Sequence, residues 1–509
     1  MHNLISKSDF KKYLQCPEYF WFYKNRPAVL AEKQMSDFEK NLSEQGKLVE
    51  QKFYERFPKV HVLTSKNLDA VTATKEFDNT GDFYLGQAAF IADGFFAQSD
   101  LVHFKGDKTI SIYEIKSSSS GQVLDSDDSA QAASKEEHLI DLCFQYLVAS
   151  TAGYRVERLF LVELNKTYIK TGELNLSEFF NISDVSSKIQ TMNEAIIRQM
   201  TLAASKSMES VQPVTCDCKY KARKNQCVAF PYLHPDMMGY TIHDLSRIGN
   251  SKKRLIGFID NDITRLEDIP ADWDLTDPQK DQVLSWNQNQ EIIHKEEIIS
   301  SFKQLKYPLY FLDYETLSSA IPIYDGTKPY QQIPFQYSLH IINEPGSMFE
   351  HREFLHLEQT NPMESLSQHL RADIGDEGSV VVWNKKFEGM CNKGLAETVP
   401  ELSKFLLGIN KRFFDLMDIF SKRMYVHKDF KGSSSIKKVL PVLVPHLSYK
   451  DLTIGDGGTA TTAWKRMVFE INDANEKEKI KMDLLAYCKL DTLAMVEIFR
   501  KIIEKTKTI

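Results

Sequence analysis

Acidic residues at three separate places along the chain have the types and spacing that bind divalent cations. Asp313 and Glu315 are two residues apart at the end of an apolar, strand-like stretch, so both side chains project from one face of a strand. Tyr487 and Asp491 are four residues apart in a helix-like stretch and share a helix face. Glu388 follows a third apolar stretch. Because buried carboxylates repel one another, four of them in one place indicate a pair of Mg²⁺ or Mn²⁺ ions that activate water for phosphodiester hydrolysis.

These segments resemble the motifs of the DEDD exonuclease superfamily. Its D-x-E, N-x-x-F-[DE] and Y-x-x-x-D motifs are matched in order by residues 313–315, 384–388 and 487–491. The resemblance implies an RNase H-like fold, four metal-binding carboxylates, 3′–5′ exonuclease activity and a Tyr487 hydroxyl that positions the attacking water. The sequence departs from the pattern at Glu388, where aspartate is usual, and the longer side chain is expected to shift one metal ion.

A second group of chemically capable residues lies in the first half of the chain. Asp100 is in one strand-like stretch, and after a turn at residues 105–108 a second stretch carries Glu114 and Lys116. The spacing places Glu114 and Lys116 on one strand face, and a hairpin brings Asp100 near them. Two carboxylates bind a divalent cation, and the lysine orients water or neutralises a phosphate. A surface hairpin with a Glu–Lys ion pair is the alternative interpretation.

The surroundings of this hairpin resemble the RecB-like branch of the PD-(D/E)XK nuclease superfamily. In that branch a preceding helix supplies a metal ligand in a G-x-x-V-[HE] context, which residues 46–50 match through Glu50. A later helix supplies a glutamine, and Gln145 fits that position, although Ala149 stands where an aromatic residue is expected. The resemblance implies a restriction-endonuclease-like fold whose centre consists of Glu50, Asp100, Glu114, Lys116 and Gln145.

Four of the seven cysteines form a predicted metal site. Cys216, Cys218 and Cys227 lie close together among basic residues, and Cys16 precedes Pro17 far upstream. A segment this rich in basic residues is poorly suited to an apolar core, which favours metal binding by the cysteines. The alternative interpretation is four buried thiols that do not bind a common metal. Four thiolates suit tetrahedral zinc or an iron–sulfur cluster. An odd number of cysteines in a long chain argues against a disulfide framework.

The cysteine arrangement resembles that of the iron–sulfur RecB-like nucleases, in which one N-terminal cysteine and three C-terminal ones hold a [4Fe–4S] cluster. The C-x-C start of the C-terminal group differs from the commoner spacing, and zinc is the alternative. The neighbouring basic residues are predicted to contact nucleic-acid phosphates, with a solvated charged loop as the equal alternative. These residues are Lys219, Lys221, Arg223 and Lys224.

The elements that must position these residues indicate an α/β protein with two domains and a small helical connector. A restriction-endonuclease-like domain is predicted over residues 1–230, the connector over 231–300 and an RNase H-like exonuclease domain over 301–509.

Apolar periodicity also predicts individual helices. One helix is predicted over residues 8–24, one over 278–303, one over 414–425 and one over 478–505, the last carrying the tyrosine and aspartate of the third acidic segment.

The second domain also resembles a bacterial family known as domain of unknown function 2779. The resemblance rests on the stretch from Asp313 to His340 and on residues 435–441. It implies no substrate. Lys437 is predicted to face a nucleic-acid phosphate from a helix capped by Ser435, and a plain capped helix is the equal alternative.

Composition limits the remaining classes of function. Of 509 residues, 63 are Lys or Arg and 70 are Asp or Glu, and the net charge of −7 excludes a globally cationic, chromatin-like protein but permits a local basic groove. No apolar run reaches the ~18 residues that cross a bilayer, and the first residues lack a signal-peptide pattern. A cytoplasmic protein without a membrane partner is therefore expected.

The motifs together predict a metal-dependent DNA nuclease of repair, recombination or defence, with a 3′–5′ exonuclease domain and a PD-(D/E)XK centre. Mg²⁺ or Mn²⁺ and a [4Fe–4S] cluster, or zinc in its place, are the expected cofactors. A ribonuclease is one alternative, since nothing in the sequence reads a 2′-hydroxyl. A nucleic-acid-binding assembly subunit with one inactive centre is the other.

Overall fold

The computed structural model describes residues 4–30, 35, 37–77, 81–117, 128–250, 252–450 and 452–506. The chain divides into two compact units, each of which mixes helices and strands. The first unit comprises Met1–Met35, Glu39–Met238 and Ser319–Tyr330. The second comprises Ser36–Phe38, Gly239–Ser318 and Gln331–Ile509. The domain boundaries given by the sequence analysis stay predictions.

The first unit is built on one mixed sheet. Its strands are β1 (Ile5–Ser6), β2 (Val60–Val62), β3 (Asp82–Ala92), β4 (Phe95–Lys105), β5 (Thr109–Lys116), β6 (Arg155–Leu164) and β7 (Phe180–Asp184). Within the described residues the strand order is β2-β3-β4-β5-β6-β7, and β1 pairs with β4. β4 and β5 form the predicted antiparallel hairpin, whereas β5 and β6 run parallel. A parallel pair needs a crossover connection, and a long helix supplies it here.

Helices cover this sheet. They are α1 (Lys7–Gln15), α2 (Pro17–Asn25), α3 (Asp37–Tyr54), α4 (Asn67–Glu76), α5 (Asp128–Thr151), α6 (Leu176–Phe179), α7 (Ser186–Met208) and α8 (Phe230–Leu233). α5 is the crossover between β5 and β6. Its Phe144 stacks on Phe10 of α1, with ring centroids 5.2 Å apart, inside the main apolar core of this unit.

The helix predicted over residues 8–24 is in fact two helices. α1 ends before Cys16, whose extended backbone makes it the N-cap of α2. Pro17 occupies the first turn of α2, where its lack of an N–H group costs no hydrogen bond. The same lack of a donor prevents Pro17 from continuing α1. The break gives the Cys16 thiol a position at a helix N-terminus, where it accepts a hydrogen bond from the main-chain N–H of Tyr19 at 3.4 Å.

The second unit contains a five-stranded sheet. Its strands and those of a separate two-stranded ribbon are β8 (Ile292–Ile293), β9 (Leu309–Leu317), β10 (Ile333–Ile342), β11 (Phe349–Leu355), β12 (Ser379–Val382), β13 (Phe413–Asp415) and β14 (Tyr425–Val426). Among the described residues the large sheet has the order β11-β10-β9-β12-β13, and β8 pairs with β14. β9, β10 and β11 are antiparallel neighbours, whereas β12 runs parallel to both β9 and β13.

The helices of the second unit are α9 (Lys252–Asp260), α10 (Asp277–Gln288), α11 (Lys295–Phe302), α12 (Pro362–Asp373), α13 (Lys385–Thr398), α14 (Ser403–Asn410), α15 (Asp418–Ser421), α16 (Ile436–Leu443), α17 (Gly457–Lys465) and α18 (Ala474–Thr506). The long helix α18 packs against β9 and β10. Throughout the described ranges, every helix is too short or too polar to cross a membrane.

Two further predicted helices differ from the structure. The helix over 278–303 is interrupted, because Asn289 adopts a left-handed conformation (φ 53°) that ends α10 before β8 begins. The helix over 414–425 is present only as the short α15. The first residues of that range belong to β13, which pairs with β12, so pairing at the sheet edge overrides the helical apolar spacing there. The helix over 478–505 is confirmed as part of α18.

Candidate metal centres

The second unit gathers acidic residues where β9 lies beside α18. Asp313 and Glu315 are two residues apart on β9, and Asp491 lies on α18. Gln336 on β10 is the register partner of Glu315, and its amide donates a 2.9 Å hydrogen bond to the main-chain carbonyl of Leu484. This buried bond fixes α18 against the sheet and so brings its acidic residue to the strand.

Burial raises the pKa of all four predicted carboxyl ligands. It raises the pKa of Asp491 to about 6 and that of Glu388, in the first turn of α13, to about 8. For Asp313, burial is the largest cause of a strongly raised pKa, and the negative charges of the other three acids add to it. Burial and the charge of Asp491 raise the pKa of Glu315. The structure therefore places Asp313 within electrostatic reach of the other three acids.

Several ligand atoms of this acid cluster have the positions that one cation would need. One carboxylate oxygen each of Asp313 and Glu315 and the sulfur of Cys488 all lie within 4.8 Å of one another. Glu388 is 2% exposed, and its Oε2 atom is buried without a hydrogen-bond partner. A buried, unpaired carboxylate oxygen is costly, and a divalent cation removes that cost.

Two tyrosines and a lysine surround Asp491. The hydroxyl of Tyr449 donates a 2.6 Å hydrogen bond to Asp491 Oδ1, and Tyr487 lies one helical turn before Asp491. Burial and then the charge of Asp491 raise the pKa of Tyr487, so its hydroxyl stays a donor. The Lys437 ammonium lies 5.6 Å from the centroids of both tyrosine rings and donates to the main-chain carbonyl of Gly455.

In the first unit, Glu114 and Lys116 project from one face of β5. The Oε1 atom of Glu114 accepts from Lys116 Nζ at 2.7 Å and from Lys7 Nζ at 2.8 Å, and its Oε2 atom accepts from Gln145 at 2.5 Å. Burial alone would raise the pKa of Glu114, but the two lysines outweigh it and lower that pKa. This carboxylate is charged, and both of its oxygens are engaged.

Asp100 and Glu50 complete the predicted set. Asp100 Oδ2 accepts a 2.7 Å hydrogen bond from the main-chain N–H of Ile115, across the β4–β5 hairpin. Burial and then the charge of Glu114 raise the pKa of Asp100 to about 7, and the charge of Glu50 on α3 adds to that rise. Glu50 accepts a hydrogen bond from Tyr54.

The first centre differs from the second in how its acids are arranged. Among the described residues, a metal-sized group is a set of ligand atoms that all lie within 4.8 Å of one another. The ligand atoms of Glu50, Asp100 and Glu114 do not form such a group. The ammonium group of Lys7 on α1 lies where a cation would contact Glu114. The structure therefore shows a carboxylate–lysine network there rather than a preformed set of metal ligands.

Asp141 on α5 extends this network. Its Oδ2 atom contacts Lys116 Nζ at 2.9 Å and Lys11 Nζ at 3.2 Å. It lies one turn before Gln145, so α5 presents both side chains on one face. Asp141 Oδ1 and Gln145 Oε1 are both buried without a hydrogen-bond partner.

The four cysteines predicted to bind metal come together. The sulfurs of Cys16, Cys216, Cys218 and Cys227 are buried and all lie within 4.8 Å of one another. The sulfurs of Cys216 and Cys227 are 4.0 Å apart. His234 is adjacent, since its Nε2 atom is 3.7 Å from the Cys216 sulfur.

The sulfur spacing fits a single tetrahedral ion. Zinc–sulfur bonds of ~2.3 Å place the sulfurs ~3.8 Å apart in a tetrahedron. A [4Fe–4S] cluster binds each thiolate through a separate iron, so its four sulfur ligands must lie farther apart. The donor set suits both groups chemically, but the observed spacing accommodates the single ion without rearrangement.

The four basic residues near these cysteines are partly engaged in the fold. Lys221 and Arg223 donate hydrogen bonds to main-chain carbonyl groups. Lys219 lies over a neighbouring tyrosine ring, and Lys224 is exposed. Their predicted contact with phosphates stays a prediction.

Five residues near the centres were not predicted as site residues from the sequence. Two had a usable signal, because Asp141 lies four residues before Gln145 and Cys488 lies three residues before Asp491, each on one helix face. The others reach their centres only through the tertiary fold, and no local spacing indicates them. They are Lys7, His234 and Tyr449.

Comparison with known proteins finds a family match for one segment of the chain. A family model described as a domain of unknown function, DUF2779, matches residues 310–435, which include Asp313, Glu315 and Glu388. No solved structure matches the chain.

Three curated bacterial proteins are similar to part of the chain, and all are named as uncharacterized. One from Ureaplasma parvum is 30% identical over 247 residues, covering 43% of this chain and 35% of that protein. Proteins from Mycoplasma pneumoniae and Mycoplasma genitalium are each 26% identical over 232 and 234 residues, covering 42% of this chain and 35% of theirs. The matched region thus spans about a third of the length of these relatives.

Proposed function

We propose that this protein is a metal-dependent nuclease whose second unit hydrolyses phosphodiester bonds, with DNA as the favoured substrate and 3′–5′ polarity. The observation that carries the proposal is the acid cluster of the second unit. Burial raises the pKa of four carboxyl groups from β9, α13 and α18, and the charges of the other three raise the pKa of Asp313 further. One of the four, Glu388, has a buried oxygen with no hydrogen-bond partner. Divalent cations are the groups that make such a cluster favourable.

The architecture around the cluster supports an RNase H-like exonuclease unit. Three antiparallel strands are followed by two parallel ones in the order β11-β10-β9-β12-β13, and the first acidic pair lies on the central strand. The tyrosine expected of the DEDDy type lies on the same helix face as Asp491.

Each residue of the cluster has a chemical role in this proposal. Bound Mg²⁺ or Mn²⁺ would supply an activated water and stabilise the leaving oxygen. The four carboxylates hold the ions, and the protonated Tyr487 hydroxyl orients the water. Lys437 offers positive charge to the phosphate from beside both tyrosine rings.

The first unit is proposed to be a restriction-endonuclease-like PD-(D/E)XK domain with a second nuclease centre. Glu50, Asp100 and Glu114 are its metal ligands in this proposal. Lys7 must leave Glu114 before a cation binds there, because both act on the same carboxylate oxygen. The four cysteines hold a structural metal, and their spacing favours zinc over the [4Fe–4S] cluster.

Cleavage of end-labelled single-stranded DNA and RNA in Mn²⁺ tests the proposal. Asp313→Asn is expected to remove 3′–5′ shortening, by about 10²–10³-fold, because it removes a charge that the ions require. Lys116→Ala tests the first unit, and Glu401→Gln, an exposed acid outside both centres, is the matched control. Cleavage of RNA alone would favour the ribonuclease alternative, and loss with neither variant would contradict the nuclease proposal.

A further inference from the structure

We propose that Cys488 is a metal ligand of the second unit, where it binds a thiophilic divalent cation such as Zn²⁺ together with Asp313 and Glu315. This inference rests on the proposed function and adds a ligand that would let the acid cluster hold a thiophilic cation as well as Mg²⁺ or Mn²⁺. Thiolate sulfur favours Zn²⁺ and its heavier analogue Cd²⁺, whereas all-oxygen sites suit Mg²⁺.

The position of Cys488 is that of a ligand. It lies on α18 next to Tyr487 and is fully buried. Its sulfur is 3.9 Å from Asp313 Oδ2, and it shares a group of atoms within 4.8 Å of one another with Asp313 and Glu315. Two atoms bound to one zinc ion, each through a bond of ~2.0–2.3 Å, cannot be farther apart than about twice the bond length. The three ligand atoms here are at most 4.8 Å apart, which is close to that limit.

A separate observation concerns the buried carboxylate of Glu388. The buried Oε2 atom of Glu388 has no hydrogen-bond partner, and the charge of Glu388 is one of those that raise the pKa of Asp313. A carboxylate oxygen this deeply buried is normally paired with a donor or a cation. Asp313 thus connects the three-atom group electrostatically with the buried carboxylate of Glu388.

A second thiol provides an internal comparison. Cys391 on α13 is also fully buried, and its pKa is raised by burial and by the charges of Glu388 and Asp313. Its sulfur is nevertheless outside the metal-sized group. Burial near acids is thus common to both thiols, and the ligand geometry belongs to Cys488.

Titration of the full-length protein with Cd²⁺, followed by the ultraviolet thiolate-to-Cd²⁺ charge-transfer band, tests this assignment. Wild-type protein, Cys488→Ser and Cys391→Ser all keep the four-cysteine site, so the difference between their spectra isolates the second unit. We expect wild type and Cys391→Ser to show the extra band. Cys488→Ser is expected to lack it and to bind Cd²⁺ at this site about 100-fold or more weakly, while still binding Mn²⁺.

Asp313→Asn distinguishes the two levels of the proposal. If it abolishes Mn²⁺ binding at the second centre while Cys488→Ser keeps the full Cd²⁺ band, the ligand role of Cys488 is overturned and the metal-dependent function stands. If Asp313→Asn binds as many Mn²⁺ ions as wild type, the proposed function of the second unit fails. Cys488→Ala provides a second test should the serine variant unfold, because alanine buries no unpaired hydroxyl, and thermal melts report the folding of both.

Discussion

A buried acid without a cation destabilises the second unit, and the effect depends on pH. Burial raises the pKa of Glu388 from its ordinary value of 4.5 to about 8. Between these values the folded chain holds a proton that the unfolded chain releases. The favourable contribution of the protonated group is therefore complete below its unfolded pKa and is lost as the pH rises through about 8.

Glu388→Gln should remove this pH dependence. In chelator, we expect the variant to melt above wild type at pH 8 and close to it at pH 5, because only the charged carboxylate is penalised. A domain of this size gains about 2–4 °C for each kcal/mol, so the difference is measurable by thermal unfolding. An equal difference at both pH values would contradict the assigned cause.

In the metal centre proposed for the first unit, Lys7 would compete with the cation for Glu114. Lys7→Met keeps the apolar stem but removes the ammonium group that lies 2.8 Å from the carboxylate. In an Asp313→Asn background, which silences the second centre, we expect Mn²⁺ to bind the first unit about tenfold more tightly. Isothermal titration calorimetry measures this affinity.

Lys11→Met is the control for that experiment, because Lys11 contacts Asp141 rather than Glu114. Its Mn²⁺ affinity should match the background protein. Weaker binding in Lys7→Met would show that the lysine supports the cation instead of replacing it.

The four cysteine sulfurs give a prediction about metal content. Their close spacing predicts one zinc ion at the four-cysteine site and neither iron nor acid-labile sulfide. Metal analysis and a sulfide assay of anaerobically purified protein measure these three components. Cys218→Ser should lose the metal of this site. Stoichiometric iron with sulfide and visible absorbance would instead establish the [4Fe–4S] cluster.

At the scale of elements, one glycine sets the approach of β12 to β9. Gly378 has φ 89°, and a Cβ atom there would overlap the carbonyl oxygen of Pro308, just before β9. Gly378→Ala is expected to destabilise the protein by about 2–4 kcal/mol, measured by chemical denaturation.

Gly346→Ala separates the two causes of that loss. Gly346 also has a positive φ, 80°, but no atom lies within 4 Å of its added Cβ. It should lose only the conformational part, about 1–2 kcal/mol. Equal losses in the two variants would show that the close contact at Gly378 contributes nothing.

The elements that could be predicted from sequence are those whose signal is local. The β4–β5 hairpin and most of α18 follow from alternation and helical spacing within a few turns. β13 could not be predicted, because its strand conformation depends on pairing with β12, about thirty residues earlier. The helix break at Cys16 had a local signal in Pro17. The apolar periodicity over residues 8–24 nevertheless continues through this position and predicts a single helix.

The candidate sites show the same division. The i, i+2 pair Asp313 and Glu315 and the i, i+4 pair Tyr487 and Asp491 are visible as spacing. Tyr449, by contrast, reaches Asp491 from a loop forty-two positions away, so only the tertiary fold reveals it.

At the scale of the whole molecule, the two units carry centres of different kinds. The first has a carboxylate–lysine network and a cluster of four cysteines, whereas in the second Asp313, Glu315 and Cys488 form a group with metal-sized spacing. The family match covers only residues 310–435, so three of the four acids lie inside it and Asp491 lies outside. The proposed activity of the second unit therefore depends on chain beyond the matched segment.

The central claim is that the acid cluster of the second unit is a hydrolytic metal centre. Its most direct test measures Mn²⁺ binding and the shortening of 5′-labelled single-stranded DNA in the same samples of wild type and Asp313→Asn. The account predicts that wild type binds Mn²⁺ at this centre and shortens the strand from its 3′ end, and that the variant does neither. Shortening by Asp313→Asn at the wild-type rate would contradict it.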